Sequence, residues 1–150
     1  MPSSFKDITR ILIPTDGSEC GLRAAEYGIS VAKMLGAQIT VVYVIDAVIF
    51  DEAHASFKAG EREDIVQKLE QTGQEYVNYV LGLAKREGVK ADSIIAKGSP
   101  YQQIVDLANA SNVDLIVMGT HGRRGPDRSL IGSVAERVIE YSRCPVLVVK

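Results

Sequence analysis

Five apolar, β-branched runs recur along the chain, and every gap between them is long enough to hold a helix. No other feature constrains the fold as much. Residues 8–15 (ITRILIPT), 39–45 (ITVVYVI), 93–96 (SIIA), 113–118 (VDLIVM) and 145–149 (PVLVV) read as strands. Antiparallel neighbours need only a tight turn, whereas parallel neighbours need a crossover of about a dozen residues or more. Crossovers of this length predict a parallel sheet of right-handed βαβ units with helices on both faces. The fold expected is doubly wound α/β. In such sheets ligands bind beyond the carboxyl ends of the strands, where strand order reverses. The loops after the first, second and fourth strands are therefore the ones to read.

Local signals bound the helices between these runs. Asp16-Gly17-Ser18 is a turn and helix start. Leu22, Ala25, Ile29, Ala32 and Leu35 then recur at helical spacing up to a stop at Gly36. Residues 46–63 mix apolar and charged positions without a clear period, which leaves a loop or a short helix open. Ile65, Leu69, Thr72, Tyr76, Val80 and Leu83 mark one face of a long helix that ends at Gly88. Ser99, Pro100 and Gln102 have the order of a capping box with proline at the first helical position. Ile104, Val105 and Ala108 would then face the core, and residues 133–141 lie in the last helix.

Composition narrows the function classes. With 150 residues, 46% hydrophobic and 24% charged, the chain can bury a core without disulfide or metal. Disorder, collagen and a small disulfide scaffold are excluded. A net charge of −2 gives no overall basic footprint for duplex nucleic acid. No apolar run approaches the roughly 18–20 residues of a membrane span, and MPSSFKDITR lacks the apolar stretch of a secretory signal. Cys20 and Cys144 lie far apart without metal-ligand spacing, which suits thiols in a reducing compartment. His54 and His121 have no ligand partners at metal spacing, so zinc is not expected. The expectation is one soluble cytoplasmic domain over residues 1–150, with neither nucleic acid nor membrane as partner.

The loop after the fourth strand carries the chemistry. Met118 leads into Gly119, Gly122 and Arg123, and the loop returns at Gly132-Ser133-Val134. Glycines there let the backbone turn sharply and approach a ligand without a Cβ in the way. At Gly132-Ser133, the free amides and positive dipole of a helix start can hold a phosphate. The same residues also fit plain turn glycines and a helix cap. Arg123, Arg124 and Arg128 form a local basic patch suited either to a triphosphate or to keeping a long loop solvated. Neither G-x-x-x-x-G-K-[ST] nor a G-x-G-x-x-G after the first strand is present. In the first loop, Pro14-Thr15-Asp16 offers a carboxylate that can accept from ribose hydroxyls, hold a metal or cap the first helix.

Gly119-x2-Gly122-x9-Gly132-Ser133 resembles the nucleotide motif G-x2-G-x9-G-[ST] of the universal stress protein family, ATP-binding branch. IPTDGS, VVYVID, VDLIVMGTHGR and GSVAERVIEYSRCPVLVV resemble the family in the same order, over essentially the whole chain. The resemblance implies a five-stranded sheet of order 3-2-1-4-5, in the adenine nucleotide α-hydrolase-like manner, with ATP at the switch point between strands one and four. It places Pro14, Thr15 and Asp16 along adenosine, and Val44 at the adenine edge. Met118, Gly119 and Gly122 would line the nucleotide, and Gly132, Ser133 and Val134 would hold its phosphates. Arg123 is a further phosphate contact, and Mg²⁺ or Mn²⁺ would accompany the triphosphate. The family also implies a homodimer through the last strand. Val146, Leu147, Val148 and Val149 are an apolar edge that invites a second copy.

Three functions follow from this reading. One is an ATP-binding, dimeric, nucleotide-dependent regulator of the stress response. Another is a slow ATPase or phosphotransferase, for which the chain has loop arginines but no evident water-positioning base. The third is a non-nucleotide binding module in which the glycines serve only the fold. Substituting Gly132 by Val is expected to obstruct phosphate binding while sparing the core.

Overall fold

A computed structural model describes residues 4–56, 58–121 and 131–150. Its strands are β1 (Arg10–Pro14), β2 (Gln38–Asp46), β3 (Ala91–Gly98), β4 (Leu115–Gly119) and β5 (Val146–Val149). They form one parallel sheet of order β3-β2-β1-β4-β5. The helices are α1 (Glu19–Leu35), α2 (Ala47–Ser56), α3 (Ala59–Arg86), α4 (Pro100–Ala110) and α5 (Ser133–Tyr141). The doubly wound α/β expectation is thus met, including its strand order. Gly122, Arg123, Arg124 and Arg128 lie outside the described residues.

Alternation along the central strand divides the core into two layers. Ile11 and Ile13 face α1 and α3 together with Ile39, Val41 and Val117. Leu12 points the other way, with Val42 and Ile116, onto Ile104, Val105 and Ala108 of α4 and Val138 of α5. All of these side chains are buried. Burial on both faces explains why the strands read as apolar runs rather than alternating ones.

The helices show where side-chain size overrides simple periodicity. The face that α1 buries is Gly21, Ala24, Ala25, Gly28, Ile29 and Ala32 rather than the stripe through Leu22. A Cβ on Gly28 would stand 2.5 Å from Ile13 Cδ1, so α1 lies against the sheet at a distance only small residues permit. The stretch left open between loop and short helix holds α2 at Ala47–Ser56, and α3 starts at Ala59, well before the first apolar mark at Ile65. The deeply buried face of α3 is Val77, Val80 and Ala84, because only its second half lies fully on the sheet. β3 spans Ala91–Gly98, longer than its apolar centre, and pairs residue for residue with β2 from Ile39↔Ala91 to Asp46↔Gly98. Pro100 does open α4, but the Ser99 side chain makes no capping bond. The expected box is absent, and Gln103 instead packs over Gly98, whose φ is 147°.

Candidate functional site

β1 and β4 are neighbours in the sheet, yet the chain leaves β1 for α1 on one face and leaves β4 for α5 on the other. This divergence opens a cavity of about 470 Å³ at the carboxyl ends of the strands. Its volume lies within the roughly 300–1,000 Å³ typical of small-molecule sites. Pro14, Thr15 and Asp16 line it from the first loop, and Val42 to Asp46 line it from β2. Met118, Gly119, Thr120 and His121 come from the fourth loop, and Gly132 to Ala135 from the start of α5. Every expected site residue that the structure describes, Val44 included, therefore meets at one cavity.

The backbone explains how Val44 presents itself. The amide of Thr15 donates to the Val42 carbonyl at 2.9 Å, and β1 has ended at Pro14. Strand polarity repeats every two residues, so Val44 turns its N–H and C=O to that same side, past the last residue of β1. An extended edge of backbone donor and acceptor thus faces the cavity.

The first loop is tied by its own side chains. Ser18 is the N-cap of α1, and its hydroxyl accepts from the Gly21 amide at 3.1 Å. The capping reading for Asp16 falls away: its Oδ1 accepts from the Ser18 amide at 2.9 Å, an Asx turn that holds the carboxylate at the cavity wall.

At the fourth loop Gly119 and Gly132 line the cavity and also make room for neighbouring parts of the fold. A Cβ on Gly119 would meet Cys20 Sγ at 2.9 Å and the Cys20 backbone at 3.0 Å. The space that glycine leaves at 119 is filled by α1, not by the cavity. Gly132 donates its N–H to the Thr120 carbonyl at 2.6 Å, and a Cβ there would stand 3.0 Å from that same oxygen. Gly132→Val would thus disturb the loop closure as well as the cavity, and is not the clean test the sequence suggested. As N-cap, Gly132 brings no capping side chain to α5. The amides of Ser133, Val134 and Ala135 have no intrahelical partner, and all three residues line the cavity.

Thr120 is buried and joins several elements. Its amide donates to the Val149 carbonyl at 2.9 Å, and its hydroxyl lies 3.1 Å from His121 Nδ1 and 3.6 Å from Cys20 Sγ. Cys20 also donates to the Val149 carbonyl at 3.2 Å. Burial pushes the Cys20 thiol up, but hydrogen bonds from the His121 backbone and from Thr120, with Arg23 nearby, outweigh it and leave the thiol below its ordinary value. Cys20 and Cys144 are both free thiols, as expected.

Ile49 and Leu69 were not anticipated as site residues. They bring α2 and α3 to the cavity wall, where each adds apolar surface. Leu69 belonged to the helical stripe assigned to the core, and sequence periodicity cannot separate a core from a cavity facing the same way. Among the described residues no cluster of His, Cys, Asp or Glu is suited to a metal ion, and no helix is long and apolar enough to cross a membrane.

The fold and cavity define a doubly wound α/β protein with a cavity of small-molecule size at its topological switch point. The universal stress protein family model matches residues 7–150, and the chain belongs to that family. It is 44% identical over 141 residues to the universal stress protein MJ0531 of Methanocaldococcus jannaschii, covering 94% of this chain and 81% of that protein. The solved structure of MJ0577 from the same organism superposes with a TM-score of 0.83 at 30% identity, covering 95% of both chains. An Archaeoglobus fulgidus universal stress protein in complex with dAMP shares the fold, with a TM-score of 0.66 at 22% identity over 95% of this chain and 98% of that one.

Proposed function

We propose that this chain binds ATP in the carboxyl-end cavity and acts, as a cytoplasmic homodimer, as a nucleotide-dependent regulator of the stress response. The observation that carries the reading is the start of α5, where three amides in succession without an intrahelical partner, those of Ser133, Val134 and Ala135, border the cavity. Free amides and the positive helix dipole favour a phosphate there. The rest of the cavity fits the nucleoside. Val44 offers its backbone edge to adenine, and apolar walls from Val42, Ile104 and Met118 suit a flat heteroaromatic ring. Asp16, with Pro14 and Thr15, stands where ribose hydroxyls would lie. Met118 and Gly119 lie along the nucleoside, and Gly132 sets the turn into the cradle. Mg²⁺ or Mn²⁺ would screen the phosphate charge. That the same fold holds dAMP in the A. fulgidus protein supports the choice of an adenine nucleotide.

The homodimer rests on β5. It is an edge strand, and Leu147 in it is exposed. An unpaired apolar edge is a ready template for a second copy.

Ser133→Pro tests the reading. Gly132 sits at φ −70° and ψ 161°, which a following proline requires, and proline is well suited to the first helical position. The variant removes one amide and one hydroxyl from the cradle and keeps the helix. Titration calorimetry should show ATP affinity lowered about 10-fold or more, since a hydrogen bond to a charged group is worth about 1.5–3 kcal/mol. Adenosine affinity and melting temperature should stay close to wild type. Unchanged ATP affinity would remove the cradle. Incubating the bound complex and measuring released ADP separates simple binding from slow hydrolysis.

A further inference from the structure

We infer that Ile49 and Leu69 set which nucleotides the cavity accepts, by selecting a two-ring base over a one-ring base; this deepens the ATP reading and rests on it. The backbone edge of Val44 cannot make that choice. With the ribose held at the first loop, its N–H meets a ring acceptor and its C=O meets an exocyclic amino group. Adenine offers that pair at N1 and N6, and cytosine offers the same pair at N3 and N4. Guanine offers the reverse, a donor at N1 and an acceptor at O6. The edge therefore separates adenine and cytosine from guanine, and leaves adenine and cytosine alike.

The two bases differ in the area of their faces, and the cavity walls are placed to read it. A ring bonded to Val44 continues the plane of the sheet past the end of β1, so the layers on either side of the sheet extend over its two faces. On one face stand Ile104 and Met118, from the layer that holds α4 and α5. On the other stands α3, whose Val77 and Val80 are buried in the opposite layer. Leu69, Gly73 and Val77 recur every four residues and share a face of that helix. Gly73 is packed against the Tyr43 ring, where a Cβ would overlap it. Because α3 runs against the strands, Leu69 lies one turn beyond Gly73 towards the carboxyl ends, past Tyr43, where it lines the cavity.

Ile49 reaches the same wall from α2. That helix starts at Ala47, directly after β2, and the Val48 amide donates to Asp46 Oδ1 at 3.0 Å. The Ile49 side chain lines the cavity and yet is 43% exposed, an apolar surface that a base between the walls would cover. Burial stabilises in proportion to the apolar area removed from water, and a purine lays more of its face on both walls than a pyrimidine does. One methylene more or less in an apolar pocket already changes binding about 10- to 200-fold, so the ring that cytosine lacks is enough to discriminate.

The experiment measures dissociation constants of ATP, CTP and GTP by titration calorimetry for wild type, Ile49→Ala and Leu69→Ala. Wild type should favour ATP over CTP by about 100-fold. Each substitution should lower that preference about fivefold or more, because ATP loses more contact than CTP. The preference for ATP over GTP should not change, since both purines lose the same wall. A preference over CTP that stays at the wild-type value, or one over GTP that falls with it, would overturn the proposal. Wild type that binds ATP and CTP equally well would overturn the selection and leave the nucleotide reading intact. Wild type that binds none of the three would overturn the nucleotide reading itself. Ile49 is partly exposed, so Ile49→Ala keeps the test open should Leu69→Ala misfold. The chain has no tryptophan, and Ile49→Trp places a single indole at this wall. ATP should quench its fluorescence and inorganic tripolyphosphate should not, whereas the same response to both would overturn contact between residue 49 and the base.

Discussion

The two ends of the sheet hold hollows of nearly equal size, about 470 Å³ at the carboxyl end and about 450 Å³ at the amino end. Only one of them is suited to an anion. In a parallel α/β sheet all helices start at the carboxyl end, so the free amides and positive dipole ends gather there. The amino-end hollow is bordered by Gly36 and Gly88, beside the last turns of α1 and α3, where helix carbonyls point outward. Its Lys33 and Lys90 complement that negative field rather than create a site for phosphate. Size alone therefore does not distinguish the two hollows, and chain direction does.

Two glycines, one at each end, make the comparison quantitative. Gly17 and Gly36 both have positive φ, +77° and +67°. A Cβ on Gly17 would overlap the Tyr76 ring, which α3 lays across the first loop, whereas nothing lies within 4 Å of the same point on Gly36. Tyr76 is itself packed against Tyr43, with ring centroids 5.9 Å apart. Gly17→Ala should cost about 3 kcal/mol, the left-handed strain plus overpacking. For a chain of this size that is a fall of about 9 °C in Tm. In a Tyr76→Ala background the same change should cost only about 1.5 kcal/mol. Equal costs in both backgrounds would show that the ring does not hold the loop. Adenosine binding by Gly17→Ala should weaken, since Asp16 and Thr15 ride on the same turn.

Gly36→Ala should cost about 1 kcal/mol, the strain alone, and lower Tm by about 3 °C. Its nucleotide affinity should match wild type. A loss as large as that of Gly17→Ala would erase the distinction between a glycine that only ends a helix and one that also admits a neighbouring ring.

Much of this difference was legible before the structure. Ser18 as a helix start, Gly36 as a stop and the bounds of α1 and α5 follow from local signals, because capping and the left-handed conformation depend on a few adjacent residues. The cavity followed from the order of elements, since the switch point is a property of topology. Long-range contacts were not legible. That Gly119 makes room for Cys20, and Gly17 for Tyr76, depends on partners about a hundred and about sixty positions away in the chain. Ile49 and Leu69 were hidden for a related reason: an apolar residue on a helix looks the same whether it faces a core or a ligand. The α2 segment gave no periodic signal, and its apolar residues Val48 and Ile49 are both exposed.

The smallest effect lies at the amino end. Lys33 donates to Glu87 at 2.7 Å, joining the last turn of α1 to the C-cap of α3. That hydrogen bond first, and the charge of the same ammonium second, hold the Glu87 carboxyl below its usual value. A carboxylate with a lowered folded-state pKa stabilises the fold above the ordinary carboxylate range, and the contribution is lost as pH falls through the lowered value. Both side chains are more than half exposed, so solvent leaves little of the interaction in the net stability. An NMR titration should find Glu87 ionising below the ordinary glutamate value in wild type, and moving up to it in Lys33→Met. ATP affinity in Lys33→Met should be unchanged. β2 alone, with its nine residues, spans about 30 Å between the two ends, well beyond the screening length of about 8 Å at physiological salt. A lowered ATP affinity in that variant would mean that the amino-end lysines reach the nucleotide after all, and that the two ends are not electrically separate.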